Sequence, residues 1–216
     1  MIISIVNEKG GSGKTTLAVN LAIKLFYEGD KVLLIDSDPQ KSGEVFIQIR
    51  KSEKIPDAFT YKDERDLIPC IKKEINNYDS IIIDTGGRDS KEMRNALSIA
   101  DIVLIPVYPS QYDLSVLNNM LALYNEAKND DGRCFILISR AFTNASLKNK
   151  ILEFQDFIQS KTNKNIKLLD TILYDREATR MATTQGLGIT ECNNNKAKDE
   201  FNNLFTELLN RYKNDV

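Results

Sequence analysis

Histidine is missing from this chain of 216 residues. That excludes imidazole acid–base catalysis and histidine-ligated metal sites. Cysteine is scarce. Cys70, Cys134 and Cys192 stand far apart and form no C-x-x-C pair, so they read as reduced thiols of a cytosolic protein, not as a disulfide framework. No run of about 18 apolar residues occurs, so nothing is expected to span a membrane. The N-terminus lacks the basic stretch and apolar run of a signal peptide. Excess positive charge is lacking too: 31 acidic residues outnumber 29 basic ones, for a formal charge of −2. No global field therefore draws in nucleic acid or anionic lipid, and such binding would need a local patch. Internal repeats and low-complexity linkers are absent.

What remains is an ordinary globular composition, 42% hydrophobic and 28% charged. The length suits one domain over 1–216 and is short for two. Short apolar runs read as strands: MIISIV (1–6), KVLLID (31–36), SIIID (80–84), DIVLIPV (101–107), CFILIS (134–139) and KLLDTIL (167–173). Helical periodicity fills the gaps, most clearly at 15–28, 64–76, 112–128, 146–160 and 196–212. Leu17, Leu21 and Leu25 share a face with Ala18 and Ala22, and Gly29 stops that helix. Strands apolar on both faces that alternate with helices predict an α/β fold with a mostly parallel central sheet, flanked by helices on both faces. Ligands of such sheets bind beyond the carboxyl ends of the strands.

The motifs sit at those ends. In VNEKGGSGKTTLAVN (6–20) a glycine loop joins strand to helix. Across Gly10, Gly11, Ser12 and Gly13 the glycines let the backbone curl around an anion, with successive N–H groups pointing inward. The helix starting near Lys14 adds the positive end of its dipole. Lys14 would reach the β- and γ-phosphates of a nucleotide, the Thr15 hydroxyl would ligate Mg²⁺, and Thr16 could bond the α-phosphate. The loop departs from G-x-x-x-x-G-K-[ST], because Glu8 stands five positions before Gly13 and an extra lysine, Lys9, follows it. Mg²⁺ needs oxygen ligands. LLIDSDPQKS (33–42) supplies Asp36 and Asp38, and SIIIDTGGRDS (80–90) supplies Asp84. A carboxylate closing an apolar run is costly to bury alone, and a metal ion would compensate it.

Residues 9–16, K-G-G-x-G-K-T-T, resemble the deviant Walker A loop of the ParA/MinD family of ATPases. The resemblance covers nearly the whole chain and implies a single P-loop domain with ATP and Mg²⁺ as cofactors. It implies a homodimer closed around two ATP molecules, in which Lys9 contacts the phosphates held by the partner while Lys14 binds its own. D-x-D-P-Q at 36–40 is similar to the ParA switch I motif. By that likeness Asp36 helps hold the Mg²⁺ shell, Asp38 orients the attacking water, and Asp84 is the Walker B carboxylate. Gly86 and Gly87 would form switch II, with Gly87 against the γ-phosphate. Arg140 and the loop 174–177 lie where the family contacts the base. The chain has Asp84-Thr85-Gly86-Gly87 where many members have D-x-P-P. IPVYPSQYDLSV (105–116) resembles a proline-containing segment of the small ParF-type plasmid partition proteins. That segment contributes there to the dimer interface and higher assemblies. Pro106, Pro109, Ser110 and Asp113 match, while Gln111 replaces a further proline. The chain starts directly at its first strand, so the N-terminal helix-turn-helix region of larger ParA proteins is not expected.

The resemblance leads to an expected role in plasmid or chromosome partition. The ATP-state dimer would bind nonspecific DNA and a centromere-binding, ParB-like adaptor, in a nucleoid-associated bacterial cytoplasmic protein. Lys148, Lys150, Lys161, Lys164, Lys167, Arg176, Arg180, Lys196 and Lys198 are the candidate DNA patch. The alternative is a MinD-like membrane-associated spatial regulator. Its anchor would be 199–216, with Phe201, Leu204, Phe205, Leu208 and Tyr212 in a stripe. The opposite face is nearly neutral, whereas interfacial helices favour a basic one. That helix is expected to dock on its own sheet, and no membrane partner is expected. A reductase of the nitrogenase-iron-protein kind would need cysteines beside switch II, and TGGRDS has none.

Overall fold

Strand β1 (Ile2–Ile5) leads through the glycine loop into α1 (Lys14–Tyr27), and the alternation then continues along the chain. The elements are β2 (Val32–Asp36), α2 (Ser42–Ser52), β3 (Thr60–Asp63), α3 (Leu67–Glu74), β4 (Ser80–Asp84), α4 (Lys91–Ile99) and β5 (Ile102–Val107). There follow α5 (Gln111–Ala127), β6 (Arg133–Ile138), α6 (Lys148–Gln159), β7 (Ile166–Leu168), α7 (Glu177–Thr184), a 3-10 turn (Ile189–Glu191) and α8 (Asn195–Asn214). The computed structural model describes residues 1–128, 133–144, 147–193 and 195–214, with residue 195 by its backbone alone.

The seven strands form one sheet in the order β3-β2-β4-β1-β5-β6-β7. Every pairing is parallel. The expected "mostly parallel" sheet is thus parallel throughout its described strands. β1 lies at the centre, between β4 and β5, and the topology runs outward from it in both directions. The crevice beyond its carboxyl end is where such a sheet opens to a ligand.

Strand pleat sends alternate side chains to opposite faces, and both faces are dry. Ile2, Leu33, Ile35, Ile81 and Ile83 pack with Leu67, Met93, Leu97, Leu117 and Phe154, so α3 to α6 cover one face. Ile3, Ile5, Leu34 and Ile82 pack with Leu17, Leu21, Phe46, Ala182 and Phe201, so α1, α2, α7 and α8 cover the other. Phe201, Leu204, Phe205 and Leu208 are buried in that layer, as expected of a helix docked on its own sheet. No described helix is long and apolar enough to cross a membrane.

Several element readings are adjusted. KLLDTIL is a strand only to Leu168. Beyond it the Asp170 and Thr171 amides donate to the Glu207 carboxylate of α8, at 2.7 and 2.8 Å, and leave the ladder. The edge strand β3 was not expected. Its sequence TYKD carries no apolar run, because none of its residues is fully buried. Helices α2, α4 and α7 fill gaps where the helical periodicity was less clear. The helix read at 146–160 starts at Lys148, and its first residue, Ser146, lies outside the described residues.

Candidate active site

A cavity of about 1030 Å³ opens beyond the carboxyl ends of the central strands. Its walls include residues 10–16, Ser37 and Asp38, Gly86 to Arg88, Arg140 and residues 173–176. Elements widely separated in sequence thus converge where the fold leaves a crevice. The expected phosphate-loop residues Gly10, Gly11, Ser12, Gly13, Lys14, Thr15 and Thr16 all line it.

Gly11 and Gly13 have φ of 73° and 92°, a region that side-chain-bearing residues rarely adopt. Gly13 precedes α1, whose N-terminus has neither a side-chain cap nor an acidic residue in its first turn. Its leading N–H groups are left for an anion. The Ser12 hydroxyl is buried without a hydrogen-bond partner. Just beyond β6, Arg140 donates to the Gly11 carbonyl at 2.6 Å, and its guanidinium lies 3.8 Å from Asp175. Arg140 therefore braces the outside of the loop, at the edge of the segment expected to hold a base.

The two lysines part company. Lys14 is buried, 6% exposed, and its ammonium donates to the Lys9 carbonyl at 3.2 Å. Burial lowers its pKa, and the nearby Asp84 and Asp38 carboxylates oppose that shift. The Lys9 ammonium is 2.6 Å from Asp113 Oδ2 and is not part of the cavity wall. Asp113 is 1% exposed and also accepts from the Ser110 hydroxyl, so the matched P-S-x-x-D segment supplies the anchor for Lys9.

The carboxylates also divide. Asp38 faces the cavity, its Oδ1 accepting from the Gln40 amide at 2.9 Å. Asp36 is fully buried and absent from the cavity wall. Its oxygens accept from the Asp38 and Gly43 amides, both at 3.0 Å, and from the Tyr61 hydroxyl at 3.1 Å. Asp36, expected to help hold the metal shell, ties together the loop that presents Asp38. Gly43 is required there, since a Cβ would lie 2.8 Å from Asp36 Oδ2. Gly87 is packed as tightly: its Cβ would sit 3.1 Å from the Gly10 nitrogen, which holds the segment after β4 against the phosphate loop.

Asp84, at the end of β4, is 1% exposed, and neither oxygen has a well-formed hydrogen bond. Burial pushes its pKa up to about 7, with the adjacent Thr15 hydroxyl and Lys14 pulling the other way. A buried, orphaned carboxylate beside a hydroxyl fits a hydrated divalent cation. Asp84 and Thr15 are the residues that would hold Mg²⁺.

Asp84→Asn tests this burial. The folded pKa lies above the unfolded one, so folding binds a proton between about pH 4 and 7, and Asp84 destabilises the metal-free fold increasingly through that window. The variant should therefore melt higher than the wild type at pH 8 and equally at pH 4, by scanning fluorimetry without Mg²⁺ or nucleotide. A lower melting temperature at pH 8 would refute an uncompensated Asp84.

The candidate DNA residues belong to several elements, from α6 to α8. Arg176 pairs with Glu200, and Arg180 with Asp175 and Glu177. Lys148 and Lys150 are exposed at the start of α6. Sequence reasoning missed Tyr61 and Arg88; the latter directly follows the two glycines after β4 and would have been the readable signal.

Known proteins resemble the chain as a whole. Residues 1–68 match an AAA domain family and residues 44–131 the ATPase MipZ family. Protein ParA of Rhizobium radiobacter is 27% identical over 177 residues, 82% of this chain and 79% of that protein. Maintenance of carboxysome distribution protein A of Halothiobacillus neapolitanus is 25% identical over 96% of this chain and 95% of its own length. The solved MinD cell division protein of Aquifex aeolicus has the same fold, with a TM-score of 0.75 at 20% identity over 97% of each chain. With the glycine loop, the cavity at the strand ends and these likenesses together, the chain has the fold of a P-loop ATPase and is similar to proteins of the ParA/MinD superfamily.

Proposed function

We propose that the chain is a spatial regulator of the MinD kind, an ATPase whose two-fold dimer closes on ATP and reopens on hydrolysis. The observation that carries this is the division of the lysines. Lys14 faces its own cavity, whereas Lys9 lies off that wall and is available to a neighbouring subunit once it leaves Asp113. Two facing nucleotides concentrate negative charge between subunits, and a lysine from each side offsets it. Asp38, held by the Asp36-centred loop, orients the water that attacks the terminal phosphate. Lys14 and the α1 N-terminus neutralise the phosphates, and Mg²⁺, when bound at Asp84 and Thr15, screens the charge that hydrolysis develops. The likenesses to MinD and to a carboxysome-distribution protein support a positioning role over a plasmid-specific one.

A DNA-carrier reading in partition is favoured by one feature. The apolar stripe of α8 is packed inside the protein, with Leu204 and Leu208 at 0% exposure, so that helix offers a bilayer nothing as it stands. In this reading Lys148 and Lys150 meet DNA, and an adaptor stimulates turnover.

The test uses Asp38→Ala protein. Its ATP turnover should fall about 100-fold, the scale of losing one positioned acid–base group. Its mass by light scattering should double with ATP and stay monomeric with ADP. A monomer under both nucleotides would refute the dimer switch. Sedimentation with anionic liposomes and a mobility shift on random duplex DNA, each with ATP, then separate the two readings.

A further inference from the structure

Four arginines line the cavity: Arg88, Arg140, Arg176 and Arg180. Three are committed. Arg140 holds the Gly11 carbonyl, Arg176 pairs with Glu200, and Arg180 pairs with Asp175 and Glu177. Arg88 has no hydrogen bond or ion pair with any described residue. Its neighbour Asp89 does not claim it, because both Asp89 oxygens are taken by Arg94 at 2.8 and 2.7 Å. Arg88 also follows Gly87, whose backbone is pressed against Gly10 of the phosphate loop. The guanidinium is therefore tethered close to where the terminal phosphate would lie, and it is the unpaired one.

Resting on the ATPase reading above, we infer that Arg88 is a catalytic residue that contacts the terminal phosphate of the nucleotide in its own subunit. The charge balance of the site supports the need. Lys9 pairs with Asp113 off the wall of its own cavity, so Lys14 is the phosphate-loop lysine that the subunit itself directs into the cavity, opposite Asp38 and the buried Asp84. A planar guanidinium reaches two phosphate oxygens at once, and its contact strengthens as charge moves onto them. Arg88 transfers no proton; it only stabilises charge. It would supply from within the chain the cation that related hydrolases take from a separate protein.

The experiment compares wild type, Arg88→Ala and Arg88→Lys. Arg88→Ala should lower kcat about 100-fold, in the range for losing one preorganised transition-state donor. Its ATP KM should change less than about threefold, because the contact strengthens only in the transition state. Arg88→Lys should recover little, since an ammonium cannot bridge two oxygens. Binding gives a readout independent of turnover. The preference of wild type for ADP with aluminium fluoride, a transition-state mimic, over AMPPNP should shrink about tenfold in Arg88→Ala, since the contact strengthens only in that state. Arg88 is exposed, so the variants should melt with the wild type. Wild type that binds and hydrolyses ATP beside an Arg88→Ala variant with kcat within twofold overturns the inference alone. Wild type that binds neither nucleotide overturns this inference and the ATPase reading together.

Discussion

Lys14→Ala should lose about a thousandfold in ATP turnover, more than any other single change in the cavity, because it removes a charged donor from a preorganised site sheltered from water. The Lys14 side chain is nearly enclosed, and its ammonium lies near enough to Asp84 and Asp38 to feel both charges. In an environment of low polarity such interactions are several times stronger than at a surface. Its removal also leaves Asp84 with less compensation, so the loss should fall on phosphate binding and turnover alike. Lys9→Ala provides the contrast. It should leave ATP affinity nearly intact and abolish the ATP-dependent doubling of mass, because Lys9 does not line its own cavity. Fluorescent-nucleotide titration and light scattering on the two variants separate the lysines. Equal loss of ATP affinity in both would end the division of labour between them.

The largest effect on stability is expected far from the phosphates. Arg50→Ala should destabilise the fold by about 3–5 kcal/mol, the usual cost of orphaning one member of a buried ion pair. Arg50 is 2% exposed, and its guanidinium holds both Glu191 oxygens, at 2.7 and 2.8 Å. It also donates to the carbonyls of Pro56 at 2.8 Å and Gly186 at 3.0 Å. Gly186 passes so close that a Cβ there would sit 2.6 Å from the Arg50 backbone. Burial alone would push the Glu191 carboxyl up; the bonds from Arg50, the Gly188 amide and the Tyr27 hydroxyl outweigh it and hold the pKa below the usual range. A depressed carboxyl stabilises the fold above its unfolded pKa, and that contribution is lost as pH falls through the folded value. The gap between wild type and Arg50→Ala should therefore be widest near neutrality and narrow in acid. Urea unfolding at pH 7 and pH 4 measures both ends, and a loss under 1 kcal/mol at pH 7 would refute the clamp.

The clamp also shows where sequence reading stops. Arg50 and Glu191 stand 141 residues apart, and nothing near either announces the other. Continuous apolar runs such as SIIID and DIVLIPV were legible because strands covered on both faces leave no room for polar alternation. TYKD was not, since β3 pairs with β2 along one edge and keeps its side chains partly in water. The place of Gly13, Lys14 and Thr15 on the cavity wall at the start of α1 was legible because a strand-to-helix loop is local, its residues adjacent in sequence and in space. The split between Asp36 and Asp38 was not. Both close the same strand, and only Tyr61 on the neighbouring strand and Gly43 at the start of α2 show which one turns inward. Likewise the spacing offered Lys9 for a partner, while its resting contact with Asp113 depends on a helix 104 residues away.

The strand order has a consequence for how the chain is made. β1 is paired only with β4 and β5 among the described strands. While residues 1–79 emerge from the ribosome, the sheet pairing open to them is that of β2 with β3. The phosphate loop, hung from β1, is synthesised before β4 and must wait for residues 80–84 before its strand has a neighbour. Its second neighbour arrives with Ile102. Non-local parallel pairing of this kind is slow and leaves apolar strands uncovered in the interval. The nascent stretch 1–79 is therefore exposed to misassembly in that interval, and ATP can begin to hold the fold together only once residues 80–104 have been translated.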